Sequence, residues 1–222
     1  NNKIWSSTKL YLKFIIFSFL LFISIFSIGQ ELPPIVNYSS STYGAGNQNW
    51  MISQDKNNYI YIANNDGLLE FNGSAWTLYS SPNETIIRSV KVIDNKIFTG
   101  CYMEFGYWMR QSNGKLKYTS LSHTIKKTIL DDEQFWNIMH YDQWVIFQSL
   151  NRIYIYDIKL KSFNSIAPKN RILKSFATNS AIYFQVNNEG LYEIENGKSK
   201  LVSDNPIVIS NKIVNVFAIE DG

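Results

Sequence analysis

One cysteine, Cys101, and two histidines, His123 and His140, are the only Cys and His side chains in the 222 residues. A lone thiol excludes an internal disulfide framework and a Cys-rich metal site. Two histidines without a partner at ligand spacing leave too few donors for zinc. Charge is scarce as well, at 18% against the usual quarter. The nucleophile-elbow pattern G-x-S-x-G, the zinc-protease pattern H-E-x-x-H and the phosphate loop G-x-x-x-x-G-K-[ST] are all missing. No amphipathic segment of ten or more residues reads as a helix. Metal, cofactor and the common hydrolytic chemistries are therefore not expected.

What charge there is divides unevenly. Lys+Arg is 21 and Asp+Glu is 18; residues 1–30 hold Lys3, Lys9 and Lys13 and no acid, which leaves 21 − 3 = 18 bases against 18 acids in the rest. The net +3 belongs wholly to the N-terminus, so no basic patch argues for nucleic-acid binding. Those three lysines precede an uncharged run from Phe14 to Ile28, and small Ser27 and Gly29 lead into Gln30-Glu31. A positive start, a short apolar stretch and a small-residue exit describe a secretory signal peptide over 1–30. The run is short for a spanning helix, which needs about 20 apolar residues; an uncleaved signal anchor is the alternative.

Aromatic residues are abundant at 15%, and apolar residues total 45%, enough for a sizeable core. From Asn49 on they fall in short β-type runs, such as NYIYIA (58–63), KIFTGCY (96–102), WVIFQ (144–148) and AIYFQV (181–186). Each follows another short apolar segment and precedes two more, with Asn, Asp and Gly between them. Aligned on the residue opening the third segment (Gly67, Gly106, Arg152, Gly190), the units recur at 106 − 67 = 39, 152 − 106 = 46 and 190 − 152 = 38 residues. Four strands every ~40 residues predict an all-β fold, a β-propeller of four-stranded blades. The expected organisation is a signal segment at 1–30, a lead-in at 31–48 and a partial propeller at 49–222. Its blades are placed at about 49–80, 86–122, 134–166 and 171–203, and a fifth opens at 207–222. IVNVFAIEDG (213–222) matches a first strand and stops within a hairpin, so these blades are expected to be part of a larger ring. A sandwich of short strands is the alternative that the regular spacing disfavours.

The unit ISQDKNNYIYIANNDGLLEFNG (52–73) resembles the two-component-regulator propeller repeat through Gln54-Asp55, Tyr59–Ala63, Gly67-Leu68 and Phe71-Asn72-Gly73. Gly190-Leu191-Tyr192 repeats its centre. Gly106-Tyr107-Trp108 keeps only the glycine, and Arg152-Ile153 keeps neither residue. Signal segment, GQELPPI (29–35) and propeller in that order look like the triple-tyrosine sensor regulators of Bacteroidetes-type bacteria. That resemblance implies an exported, periplasmic sensing domain anchored in the inner membrane through a downstream helix. It also implies an output domain, LuxR-type or histidine kinase, outside this sequence, so that any DNA contact would be made there. The implied partner is an extracellular small molecule, glycan or peptide, and the full-length protein would be a homodimer. The alternatives are an exported propeller enzyme acting on polysaccharide (a lyase or glycosidase, for which Glu104 and Asp66 are the carboxylates to test) and an adhesion or scaffold propeller.

In a propeller the loop leading into each first strand and the loop joining strands two and three emerge at one rim. The candidate ligand-binding residues there are Asn65, Asp66, Tyr102, Glu104, Trp108, Trp136, Asn188 and Glu189. Amides, acids and aromatics of this kind suit hydroxyl-rich ligands. The same Asn, Asp and Gly residues are also what turns require. Asp131-Asp132-Glu133 reads either as a cation site or, more simply, as a solvated turn. Cys101, in a strand, reads as a small buried hydrophobe.

Overall fold

The computed structural model describes residues 13–19 and 35–217. The chain divides into two compact units, Asn1–Asn37 and Tyr38–Gly222. In the first, residues 13–19 are helical and exposed. Most of the apolar run expected to be a signal segment lies outside the described residues. Among those described, no helix is long and apolar enough to cross a membrane.

The second unit is a succession of four antiparallel sheets, each of four strands in sequence order. The first holds β1 (Asn49–Gln54), β2 (Ile60–Asn64), β3 (Gly67–Phe71) and β4 (Trp76–Tyr79). The second holds β5 (Ser89–Ile93), β6 (Lys96–Gly100), β7 (Phe105–Arg110) and β8 (Leu116–Ser120). The third holds β9 (Asn137–Tyr141), β10 (Trp144–Gln148), β11 (Ile153–Asp157) and β12 (Ser162–Ile166). The fourth holds β13 (Ile172–Ala177), β14 (Ile182–Val186), β15 (Gly190–Glu195) and β16 (Lys198–Ser203). This is the blade architecture of a propeller. Asp94 and Asp142 take positive φ in the first hairpins of their blades, as does the Asn196-Gly197 pair in the last hairpin, which is the backbone that tight hairpins demand.

The blades stack through three apolar layers. Tyr61, Leu68, Val90, Ile97 and Trp108 fill the first seam. Phe98, Phe105, Phe135, Phe147 and Tyr154 fill the second. Ile146, Ile155, Ile172, Phe184 and Ile194 fill the third. At the first seam Arg110 also crosses from β7 to Glu70 of β3 at 2.5 Å and to the Tyr61 hydroxyl at 3.0 Å, and within its own blade it donates to the Gly114 carbonyl at 2.7 Å.

Register corrects the alignment made from spacing. Residues Met51, Ser89, Asn137 and Lys174 pair with Ala63, Gly100, Gln148 and Gln185, which pair in turn with Leu68, Phe105, Ile153 and Leu191. Gly67 is therefore equivalent to Glu104, not to Gly106, and the true spacings are 104 − 67 = 37, 152 − 104 = 48 and 190 − 152 = 38 residues. Gly106 is required for another reason: a Cβ there would lie 2.2 Å from the Thr119 carbonyl oxygen.

The strand expected from residue 213 is not formed at 213–217; Pro206–Ser210 is a helical turn and 211–217 carry no strand. Each first strand pairs with the second strand of its own blade, and no such partner exists for this segment among the described residues. It is held instead by Gln185, fully buried, whose amide donates to the carbonyls of Val208 and Asn211 at 2.7 Å and accepts from Ile213 N–H at 2.9 Å.

Cys101 lies directly after β6, which ends at Gly100, and not in the strand as expected; it is fully buried, as expected, and donates weakly to the Glu104 carbonyl at 3.3 Å. Burial first, then the Glu104 charge, pushes its thiol up to about 12 from 9.0. The native thiol is expected not to react with a disulfide reagent at pH 8, and to react fully once the protein is unfolded. The folded pKa is raised, so this stabilising contribution is complete below pH 9.0 and is lost as pH climbs towards about 12. Rapid labelling of the native protein at pH 8 would contradict it.

Candidate functional site

One position recurs in each of the first three blades, directly before the first-strand residue that pairs with Ala63, Gly100 or Gln148. The residues there are Trp50, Arg88 and Trp136. The fold brings them together. The Arg88 guanidinium carbon lies 4.1 Å from the Trp50 ring centroid and 4.7 Å from that of Trp136. The two indoles stand 5.9 Å apart at 77°. Stacking of a cation on tryptophan contributes roughly 0.5–2 kcal/mol per contact, more as the group loses water. Burial lowers the Arg88 pKa from its ordinary value. Arg88 Nε donates to Gln134 Oε1 at 3.1 Å. Its two terminal nitrogens have no hydrogen-bond or ionic partner among the described residues.

The turns around this stack hold it in place. Asn65 Oδ1 accepts from the Trp50 indole N–H at 2.8 Å. Asn64, fully buried, donates to the Gly46 carbonyl at 2.6 Å and to Asn49 Oδ1 at 2.7 Å. Asp66 Oδ2 accepts from Gly46 N–H at 2.8 Å. Asn64 at the end of β2 and the Asn65-Asp66 turn after it therefore strap the lead-in segment to the first blade. In the second blade Tyr102 bridges to Gln134, and its carbonyl accepts from Asn83 at 2.6 Å.

Beside Trp136 is a hollow of about 220 Å³ lined by Asp132, Glu133, Gln134, Ser149 and Asn151. The acidic trio splits there. Asp131 and Asp132 are exposed, but Glu133 is buried at 3% exposure. It accepts from Ser149 Oγ at 2.5 Å, the Tyr154 hydroxyl at 2.8 Å and Leu130 N–H at 3.0 Å. A wholly solvated turn is thus the wrong description of Glu133. Burial, then the bond to Glu133, raises the Tyr154 hydroxyl pKa. No group of three or more His, Cys, Asp or Glu able to hold a metal occurs among the described residues.

The residues singled out from the sequence separate into distinct places. Asn65 and Trp136 belong to the stack. Asp66 faces the lead-in backbone, and Tyr102, 39% exposed, sits at the adjoining turn. Glu104 turns to the outermost strand of its blade and accepts from Tyr118 at 2.9 Å and Ser120 at 2.8 Å. The two carboxylates named for hydrolysis thus serve different clusters. Trp108 is not at the rim. It is 5% exposed in the seam between the first two blades, donates to Thr99 at 2.9 Å and packs 5.0 Å from Tyr118. The loop ends at Glu104 and β7 begins at Phe105, so Trp108 falls on the core face of a strand. Asn188 is an exposed turn residue at φ 59. Glu189 closes the fourth blade's loop, accepting from Asn170 N–H and its side-chain amide at 2.9 Å and from Tyr192 at 3.2 Å.

Arg88 was missed, and Trp50, read as part of the loop entering the first strand, was not chosen among the candidates. Their signal is visible once the units are aligned on the first strand, where NWMISQ, IRSVKV and FWNIMH place Trp, Arg and Trp in one column. A larger hollow, about 550 Å³, opens between β12 and the β15–β16 hairpin. At the seam before it, Leu121 and Ile129 of the longer β8–β9 connection join the core; the short β12–β13 connection supplies no such cover.

No family model matches the sequence, and no curated protein matches it. Solved structures do resemble the fold. One is the extracellular domain of BT4673 from B. thetaiotaomicron, described as a one-component or a hybrid two-component system, with 19–20% identity and a TM-score of 0.53. The match covers 70% of this chain and 21% of that one, so the chain spans about a fifth of that domain. The computationally designed Ika8 protein matches at 11% identity and TM-score 0.53, over 71% of this chain and 48% of its own. The WD40 propeller domain of Doa1 matches at 13% and 0.50, over 71% and 53%. At these identities the likeness establishes the fold, a β-propeller.

Proposed function

We propose that this chain is part of the ligand-sensing propeller of an exported signal-transduction protein, similar to the triple-tyrosine regulators of Bacteroidetes-type bacteria. The observation that carries the reading is the stack of Trp50, Arg88 and Trp136, assembled from three blades at the end of the sheets where propellers present their ligand sites. Two partly exposed indoles and a cation kept from its full hydrogen bonding are poor choices for stability alone, and they suit an extracellular ligand that stacks and accepts hydrogen bonds. The BT4673 extracellular domain supports the sensing role through its shared fold. The amides around the stack favour a glycan. A signal then follows if the ligand binds one arrangement of the downstream parts better than another, since only differential affinity shifts an equilibrium.

The test is binding by the full-length protein. A panel of oligosaccharides and peptides should contain a ligand that raises the melting temperature with saturation; at 100 times Kd the stabilisation is about 2.7 kcal/mol. Trp136→Ala should weaken that ligand at least tenfold while leaving the ligand-free melt within a few degrees. A panel that leaves the melt unmoved, or a ligand indifferent to Trp136, would sink the proposal.

A further inference from the structure

We infer that the stack is an anion site, and that the ligand it takes is a saccharide carrying a carboxylate, a uronic acid residue. This rests on the rim being the binding site and specifies its chemistry.

Two arginines lie against aromatic rings and differ in how their donors are used. Arg110 and Arg88 both stack on aromatic rings, Arg110 at 4.8 Å from Tyr59 and Arg88 at 4.1 and 4.7 Å from Trp50 and Trp136. Arg110 uses both terminal nitrogens in structural roles: Glu70, the Tyr61 hydroxyl and the Gly114 carbonyl all accept from them. Arg88 uses only Nε, on Gln134. A guanidinium has five N–H donors, and its two terminal nitrogens carry four of them. The two indoles, nearly perpendicular to each other, flank the Arg88 group on adjacent sides and Gln134 takes Nε, so its remaining capacity lies in the N–H groups of the terminal nitrogens. Such N–H groups grip a planar carboxylate through two parallel bonds. The charge is also partly stripped of water and has no acid within ion-pair distance among the described residues, a cost that an anionic ligand offsets.

The surroundings select the rest of the ligand. Trp50 is 36% exposed and so offers surface for a sugar ring. Gln134 is half-buried beside the guanidinium, and Asn151 lines the adjoining hollow and is exposed. These amides match hydroxyl groups. The hollow, about 220 Å³, limits what fits beside Trp136 to about one ring. An acidic peptide would satisfy Arg88 equally but would leave the indole face and the Gln134 and Asn151 amides of the hollow, which also holds Asp132 and Glu133, without hydroxyl groups to match.

The experiment titrates the full-length protein with glucuronate, glucose and diglutamate, reading tryptophan fluorescence from the stack and calorimetric heat. Glucuronate is expected to bind saturably, at least tenfold tighter than glucose, and to weaken as salt rises. Arg88→Gln should weaken glucuronate at least tenfold and remove its preference over glucose. Equal binding of glucuronate and glucose overturns the anion inference but leaves the rim as a ligand site. So does retention of the preference in Arg88→Gln. Diglutamate binding tighter than glucuronate replaces the saccharide with a peptide. A rim that binds none of the three while a neutral oligosaccharide binds there overturns the inference alone; binding of nothing anywhere overturns the sensing proposal with it. If Arg88→Gln fails to fold, phenylglyoxal labelling of the native protein decides: glucuronate should shield Arg88 from modification and glucose should not, and equal labelling in both overturns the inference.

Discussion

Gly67→Ala and Gly190→Ala are expected to destabilise the propeller by about 3–5 kcal/mol each, a large fraction of the ~5–15 kcal/mol that holds a typical domain. Both glycines open the third strand of a blade with φ far outside the range of L-residues, +145° and +130°. A Cβ at Gly67 would sit 2.2 Å from the Tyr79 carbonyl oxygen, and one at Gly190 would sit 2.3 Å from that of Ser203. The obstacle is backbone of the neighbouring outer strand, which cannot swing aside as a side chain would. Gly73→Ala is the control: it has φ +96° but nothing within 4 Å of the added carbon. It should cost only the backbone strain, about 1–2 kcal/mol. Urea melts of the full-length protein, followed by tryptophan fluorescence, separate the two cases. Equal midpoints for Gly67→Ala and Gly73→Ala would show that the close approach is not what the glycine is there for.

Phe105→Ala is expected to cost about 3–5 kcal/mol through lost burial and the cavity it leaves. Phe105 is fully buried at the centre of the second seam. It stacks on Phe147 at 4.3 Å, meets Phe135 edge-on at 4.7 Å and lies 5.7 Å from Tyr154 and 5.9 Å from Phe163. Aromatic pairs of this kind contribute about 0.5–1.5 kcal/mol beyond the area they bury. Phe105 joins the second blade to the third, so its loss should also speed exchange of amides in both. Ile52→Ala, at a side chain 65% exposed, should stay within about 0.5 kcal/mol of the parent. A Phe105→Ala midpoint no lower than that of Ile52→Ala would refute the role given to this cluster.

The architecture was legible because its signals are local. NYIYIA, WVIFQ and AIYFQV are short runs of β-branched and aromatic residues bounded by Asn, Asp and Gly, and each becomes the second strand of a blade. Repetition at ~40 residues then identifies a propeller, since one blade cannot bury both faces. Cys101 was legible for a similar reason: a small apolar residue at the end of a β run is placed inside by its neighbours. Exact alignment of the blades was not legible. The second blade carries Glu104 where the first and fourth carry glycine, and a second glycine two residues later imitates the missing one. Only cross-strand register separates the two.

The candidate site divides in the same way. Residue type and loop position drew attention to Asn65 and Trp136 but equally to Trp108, because the boundary between a loop and a strand face is not marked in GYWMRQ. Asp66, Glu104 and Glu189 have the chemistry of ligand contacts; what assigns them to backbone and hydroxyl partners is the path of the chain around them. The sequence by itself determined that the chain lacks an internal disulfide and the common hydrolytic motifs, and that the residues from Asn49 on are built from four-stranded β units, because composition and period act along the chain. Only the tertiary structure decided that Trp50, Arg88 and Trp136, which lie 38 and 48 residues apart in sequence (88 − 50 and 136 − 88), share one stack. Residues in the same column of successive blades become neighbours only when the blades pack side by side, and neither charge nor stacking is felt before that distance closes.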